Sequence, residues 1–152
     1  YYCCGPEKVF PNSFLAMPSY RIRVLGFLLY KYNIKGFLHW GLNFYNCCVS
    51  KYPVNPYVTT SGDKAFPSGD PFILYPGRDS VYGSIRGQVT YEAVQDMDIC
   101  YALEQYAGRE AVTAMIDRAA GYEIRFDHYP KNKEFLENLR AEMVEKIRKF
   151  AG

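Results

Sequence analysis

The stretch Gly36-Phe-Leu-His-Trp-Gly-Leu-Asn-Phe-Tyr45 limits the folds open to this chain more than any other. It is apolar or aromatic on both alternating faces, is bounded and interrupted by glycine, and ends in a polar corner at Asn43 to Asn46. Such a run reads as a strand buried on both sides, as in a parallel sheet covered by helices. The segment before it, Pro18 to Tyr32, has helical spacing. Pro18 suits a first helical position, Ile22, Leu25, Leu29 and Tyr32 make one buried stripe, and Asn33 suits a left-handed stop. Arg21, Arg23 and Lys31 fall on the other face and read as a solvated flank. Helix, tight turn and buried strand make half of a βαβ unit. The only tryptophan lies in the strand, and polar residues gather at its C-terminal end, where α/β proteins meet their ligands.

The flanking segments extend that pattern. Tyr1 to Cys4 is a short strand-like run closed by Gly5-Pro6, and residues 7–16 read as a loop. Residues 46–71 carry Pro53, Pro56, Pro67, Gly62 and Gly69 and keep no helical period, a length of loop that is usually functional or mobile. Phe72 to Tyr75 reads as a second short strand, stopped by Pro76-Gly77. Ser84 then caps a long helix with Ile85, Val89, Ala93, Met97 and Cys100 on one face and Gly108 at its end. Residues 109–120 form another helix ending at Gly121, and a last one runs from about Asn132 to Phe150. Its apolar stripe is Leu136, Leu139, Met143, Ile147 and Phe150, with Glu142/Lys146 and Glu145/Lys149 as i,i+4 pairs.

The expected class is therefore α/β, with about three parallel strands plus helices. Three strands close no barrel, and a complete (β/α)8 barrel takes about 250 residues. Either the chain is the C-terminal portion of a TIM-like (β/α)8 barrel with a helical C-terminal tail, or it completes its sheet with another copy of itself. With 152 residues, one domain is expected.

A net charge of +2, from 18 basic and 16 acidic residues, is too weak a field to argue for nucleic acid or an anionic membrane as partner. No signal peptide or membrane span is visible. The five cysteines fall as Cys3-Cys4, Cys47-Cys48 and Cys100, an odd count without C-x-x-C spacing. A zinc site from the two vicinal pairs is a weak alternative to reduced, packed thiols, so no metal or cofactor is expected. Unpaired cysteines favour the cytoplasm. Secretion stays open, because the chain starts at Tyr1 without a methionine, in what reads as the interior of a protein. Aromatic residues, at 17% with 15 Tyr and 10 Phe, suit sugar clefts, crowded cores and subunit interfaces alike.

A set of ordered motifs narrows these options. Tyr2-x-Cys4-x-Pro6, Met17-Pro18, Arg21, Tyr30-Lys31-Tyr32, Gly36-Phe-Leu-His-Trp-Gly41, Asn43, Gly69-Asp70-x-Phe72, Tyr75-Pro76-Gly77 and Ser84-Ile85-Arg86 resemble one group of bacterial proteins. These are glycoside-hydrolase-like barrels with a C-terminal domain of unknown function, and they include the β-N-acetylgalactosaminidases of glycoside hydrolase family 123. The resemblance covers roughly residues 1–108 and implies that they are the C-terminal segment of the catalytic barrel, with 109–152 a helical extension packing on it.

It also implies substrate-assisted hydrolysis, in which the sugar's own acetamido oxygen attacks the anomeric carbon. An adjacent Asp-Glu pair on an earlier strand orients the acetamide and protonates the leaving oxygen, which departs from the ordinary two-carboxylate scheme. This chain has no Asp-Glu dipeptide, so the resemblance implies sugar-contacting walls here and catalytic residues upstream. The implied partners are carbohydrate, such as an N-acetylhexosamine-containing glycan, and the N-terminal remainder of the barrel or a second copy. A non-catalytic carbohydrate-binding or scaffold domain is the alternative.

The candidate sugar contacts are Trp40, Asn43, Tyr45, Tyr75 and Tyr2. Trp40 reads as the floor beneath a pyranose or as a core tryptophan. Asn43 and Tyr45 read as hydrogen-bonding groups for hydroxyls or the acetamide, or as strand-end caps. Tyr75 and Tyr2 stand at strand rims, Tyr2 more readily as structure. On a strand His39 and Trp40 face opposite ways, which sends His39 outward. Asp70 and Asp79 flank the second strand as acid or base, or bond their own turns. Arg86 reads as an ion-pair anchor.

Overall fold

The computed structural model describes residues 9–152. Four helices carry it: α1 (Tyr20–Lys31), α2 (Ile85–Ala107), α3 (Arg109–Ala120) and α4 (Lys133–Ala151). Between α1 and α2 lie two short strands, β1 (Tyr75–Pro76) and β2 (Val81–Tyr82), paired antiparallel with Tyr75 opposite Tyr82 and Pro76 opposite Val81. Among the described residues that ladder is the whole sheet.

The expected α/β class, with parallel strands from a (β/α)8 barrel, is thereby overturned. Residues 36–45 are not a doubly buried strand: Gly36, Phe37, Leu38, Leu42 and Asn43 are exposed. Their backbone is satisfied irregularly and antiparallel, with Phe44 N–H donating to Pro71 C=O and the N–H groups of Ile73 and Leu74 sharing Leu42 C=O. Asn43 bridges Phe72 in the same sense. Two local facts stop a ladder from growing. Pro71 offers no N–H, and Gly41 lies so close to the 70–71 backbone that a Cβ there would sit 2.2 Å from Asp70 C=O. The second expected strand, 72–75, survives only at Tyr75, and its partner follows it in sequence. The expected strand at 1–4 lies outside the described residues.

The helical expectations fare otherwise, because their ends are set locally. Ser84 Oγ accepts the Gly87 N–H at 3.2 Å to start α2, and Gly108 ends it at φ 79°. Gly121, left-handed at φ 79°, ends α3, and Asn132 Oδ1 accepts the Phe135 N–H at 2.9 Å to start α4. Asn33 is left-handed at φ 54°, as its place after α1 predicts.

The core surrounds α1, which is buried on nearly every side rather than along one stripe: Ile22, Val24, Leu25, Phe27, Leu28, Leu29 and Tyr30 are all covered, while Tyr32 is exposed. Val24, Phe27 and Leu28 join Cys100 and Leu103 of α2, Val112 and Ile116 of α3, and Leu136, Leu139 and Met143 of α4 in one cluster. Gly26 permits the closest crossing, since a Cβ there would lie 1.9 Å from Ala93 C=O. The basic residues of α1 are anchors, not a solvated flank. Arg23 Nε donates to Asp96 Oδ2 at 2.7 Å, and Lys31 Nζ to Asp117 Oδ1 at 2.7 Å. Arg21 donates to Tyr129 Oη at 3.2 Å. Long aliphatic stems cross the apolar surface and deliver each charge to a partner on another element. On α4, Glu145 and Lys149 pair at 3.3 Å as spaced, but Glu142 turns to Arg118 of α3 instead of Lys146.

Candidate functional site

The irregular segment between α1 and α2 gathers the aromatic candidates into two adjoining clusters. In the first, Trp40 packs on Phe66 with ring centroids 4.5 Å apart and on Phe44 at 5.4 Å. Its Nε1–H donates to Asp70 Oδ2 at 2.7 Å. In the second, Tyr45 and Tyr75 flank the buried Phe72 at 6.0 and 5.3 Å, and Tyr57 covers Tyr75 at 5.4 Å. Phe44 and Tyr45 are neighbours in sequence, and their rings enter different clusters.

The hydroxyls of the second cluster are fixed by backbone. Tyr45 donates to Leu74 C=O at 2.9 Å, and Tyr57 to Pro76 C=O at 2.8 Å. Tyr75 Oη accepts from Arg86 Nη2 at 3.3 Å, which leaves its own proton to give. Burial raises the Tyr45 phenol above its ordinary value, with Tyr57 and Tyr75 adding to the effect. Tyr45 therefore stays protonated near neutrality, able to hydrogen-bond but not to act as a base. Tyr57 is exposed, Tyr45 and Tyr75 half-buried, and Asn43 exposed beside them. Tyr2 lies outside the described residues.

Arg86 knits this half together. Its guanidinium is buried and donates to Ser13 C=O at 3.1 Å, Phe72 C=O at 2.8 Å and Gly69 C=O. It anchors three carbonyls and a phenol rather than forming the expected ion pair. The left-handed Gly69, at φ 90°, is needed for that approach, since a Cβ there would lie 2.7 Å from Nη1.

Asp70 is 1% exposed, and His39 and Trp40 converge on it. The alternation that would part those two side chains does not apply, because the segment is not a regular strand. Burial lifts the Asp70 carboxyl above the usual carboxylate value, against the opposing pull of the Trp40 hydrogen bond, His39 and Arg86. Burial lowers His39 below its ordinary value; Asp70 opposes that and Arg86 reinforces it. His39 Nε2 is buried and makes no hydrogen bond.

Both His39 and Asp70 line a narrow apolar cleft between α1 and α2, walled by Leu25, Leu29, Ala93 and Met97. Its cavity of about 40 Å³ has room for a few waters, at roughly 10–15 Å³ each by this measure, but not for a sugar ring. Among the described residues Asp70 is the one carboxylate lining it, so they place no acid–base pair of the glycosidase kind across it.

Elsewhere, Tyr52 is pushed up to about 12 by its hydrogen bond to the Asp63 carboxylate. Burial acts to raise the Cys47 thiol, but amide N–H groups from Tyr52, Lys51 and Val49 outweigh it and lower the value. Among the described residues, no cluster of three His, Cys, Asp or Glu is placed to hold a metal, and no helix is long and apolar enough to cross a membrane. The zinc arrangement needs Cys3 and Cys4, which lie outside the described residues.

The sequence motifs flagged Trp40, Asp70, Tyr75 and Arg86 separately but gave no sign that they meet. Tyr57 was missed, having only the proline-rich loop around it as a signal.

The class of protein is glycoside-hydrolase-related. The family model described as glycoside hydrolase 123, catalytic domain, matches residues 1–103, and the chain belongs to that family. No curated protein matches the chain. The matched span holds α1, both aromatic clusters and most of α2, while α3 and α4 follow it.

Proposed function

We propose that this chain supplies a sugar-contacting wall of a carbohydrate-active, glycoside-hydrolase-related protein, and that it carries out no hydrolysis alone. The observation that carries this reading is the Tyr45–Tyr57–Tyr75 group around Phe72, half open to solvent with its hydroxyls held by backbone and Arg86. Apolar ring faces suit the C–H face of a pyranose, and the phenol oxygens keep lone pairs for sugar hydroxyls. Fixed side chains lose little entropy on binding. Trp40 and Asn43 adjoin this surface and extend it toward the Asp70 turn. The family match supports carbohydrate, such as an N-acetylhexosamine-containing glycan, as the ligand class.

A second reading, a scaffold domain covered by further protein, has its own support. Leu38, Leu42, Val58, Val81 and Ile85 are all at least half exposed on the irregular half and the start of α2. The occupant on that reading is the rest of the family's catalytic domain or another copy of the chain. Residues 1–108 then act as the family segment and 109–152 as its helical extension. The free thiols of Cys47, Cys48 and Cys100 support a reducing compartment.

Titration of the chain with an N-acetylhexosamine disaccharide, followed by NMR, tests the first reading. Binding in the millimolar range that is lost in Tyr57→Ala and Tyr75→Ala supports it. No shift at saturating sugar refutes it, and turnover of a chromogenic N-acetyl-β-galactosaminide by the chain alone refutes the non-catalytic assignment.

A further inference from the structure

We infer that Asp70, locked in place by Arg86, is the positioning residue that fixes the indole of Trp40. The inference rests on the sugar-wall reading only for its purpose, since the geometry stands apart from any ligand. Arg86 holds the carbonyls of Gly69 and Phe72, one on each side of the Asp70–Pro71 dipeptide. That grip sets the Asp70 carboxylate, and its Oδ2 takes the indole N–H at 2.7 Å.

Gly41, next to Trp40, lies against the same dipeptide, with any Cβ 2.7 Å from Pro71 Cα. Backbone and side chain thus hold residues 40–41 to 70–71 at two points. Phe66 and Phe44 cover part of the ring but carry no polar group to orient it. A carboxylate buried this deeply is a costly way to hold a turn, since turns are served as well by exposed aspartates. Among the described residues the carboxylate's one hydrogen-bonded partner is the indole. The titratable and charged groups facing it are His39 from the same irregular segment and Arg86 from α2.

Trp40 is the only tryptophan, so its emission, excited where tyrosine does not absorb, reports this contact directly. In the full chain without sugar, Asp70→Leu is expected to shift Trp40 emission to the red and raise its collisional quenching. Asp70→Asn, which keeps an acceptor oxygen, restores the wild-type signal. Arg86→Lys, which loses the planar fork, reproduces the Leu variant's shift in part. Helical circular dichroism is unchanged in all three.

Identical emission and quenching in folded Asp70→Leu and wild type overturn the inference, as does an Asn variant that matches the Leu variant. Should Asp70→Leu fail to fold, the wild-type chain supplies the readout. Acidification then shifts Trp40 emission before helical signal is lost, and Asp70→Asn lacks that transition; emission flat until the helices melt overturns the inference. A Trp40 response without sugar binding refutes only the wall reading, and sugar binding without a Trp40 response refutes only this one.

Discussion

Gly26→Ala sets two effects of opposite sign against each other at the tightest point of the core. Within a helix, alanine is favoured over glycine by about 1 kcal/mol, so propensity alone predicts a more stable protein. The structure predicts the reverse. The added Cβ would lie 1.9 Å from Ala93 C=O and 2.8 Å from its carbonyl carbon, and both backbones belong to helices that cannot yield locally. α1 and α2 must part by about an ångström, which loosens the contacts of Leu25, Phe27 and Leu28 together. Overpacking of this kind costs about 1–3 kcal/mol, and the upper part of that range applies where backbone is struck, so the net effect is a loss of about 2 kcal/mol.

Urea unfolding followed by far-UV circular dichroism checks it. With a slope of about 2 kcal/mol per molar, the midpoint falls by about 1 M. Ala93→Gly in the same background gives no rescue, because the clash is with the carbonyl and not the methyl. A midpoint at or above wild type would refute the close crossing.

Two further outcomes follow from the buried charges. Asp96 is fully buried between Arg23 at 2.7 Å and Arg140 at 2.8 Å, so Asp96→Ala leaves two guanidinium groups facing each other across α1, α2 and α4. Breaking such a pair costs about 3–5 kcal/mol, and with Arg140 able to reach solvent the lower end, about 3 kcal/mol, is expected in the same urea assay. His39, lowered by burial from 6.5, is protonated more readily in the unfolded chain, so its contribution to stability is level above pH 6.5 and is lost as pH drops from 6.5 toward the folded value. His39→Phe lacks that contribution, and a difference between the two midpoints that does not change with pH would contradict a buried neutral imidazole. Asp70, raised from 3.8, acts in the opposite sense as pH climbs from that value, which is why the difference from His39→Phe and not the raw profile is read.

The sequence discloses the helices because their limits are written in adjacent residues. Ser84, Gly108, Gly121 and Asn132 each act on backbone within a turn of themselves, and each sits where it was expected. The stretch 36–45 misleads for the opposite reason. Its apolar alternation is real, but a strand also needs a continuous partner, and Pro71 and the Gly41 contact break the one available. Glycine at 41 marks close backbone approach, a meaning it often carries inside an apolar run, yet nothing local says that the approaching segment is 70–71. The basic face of α1 misled similarly. Charge at helical spacing identifies a polar face, but whether it meets water or Asp96 and Asp117 depends on where α2 and α3 cross.

The motifs that carry the family resemblance are, in this fold, mutual contacts more than separate functional groups. Gly41 rests on the Asp70–Pro71 backbone, Trp40 on the Asp70 carboxylate, and Gly69 makes room for the guanidinium of Arg86. Arg86 in turn holds Phe72 and Tyr75, and Ser84 caps the helix that presents it. Removing Asp70 or Arg86 leaves polar groups of other members without their partner, at a cost of about 1–3 kcal/mol each. A set so coupled behaves as a unit, and it reports a way of holding an irregular segment against two helices without a ladder. The chemistry such a segment serves depends on what faces its exposed rings. Tyr57 is absent from every motif yet the most open of the three tyrosines, so on the proposed sugar-wall reading its loss is expected to bear most on binding and least on the fold.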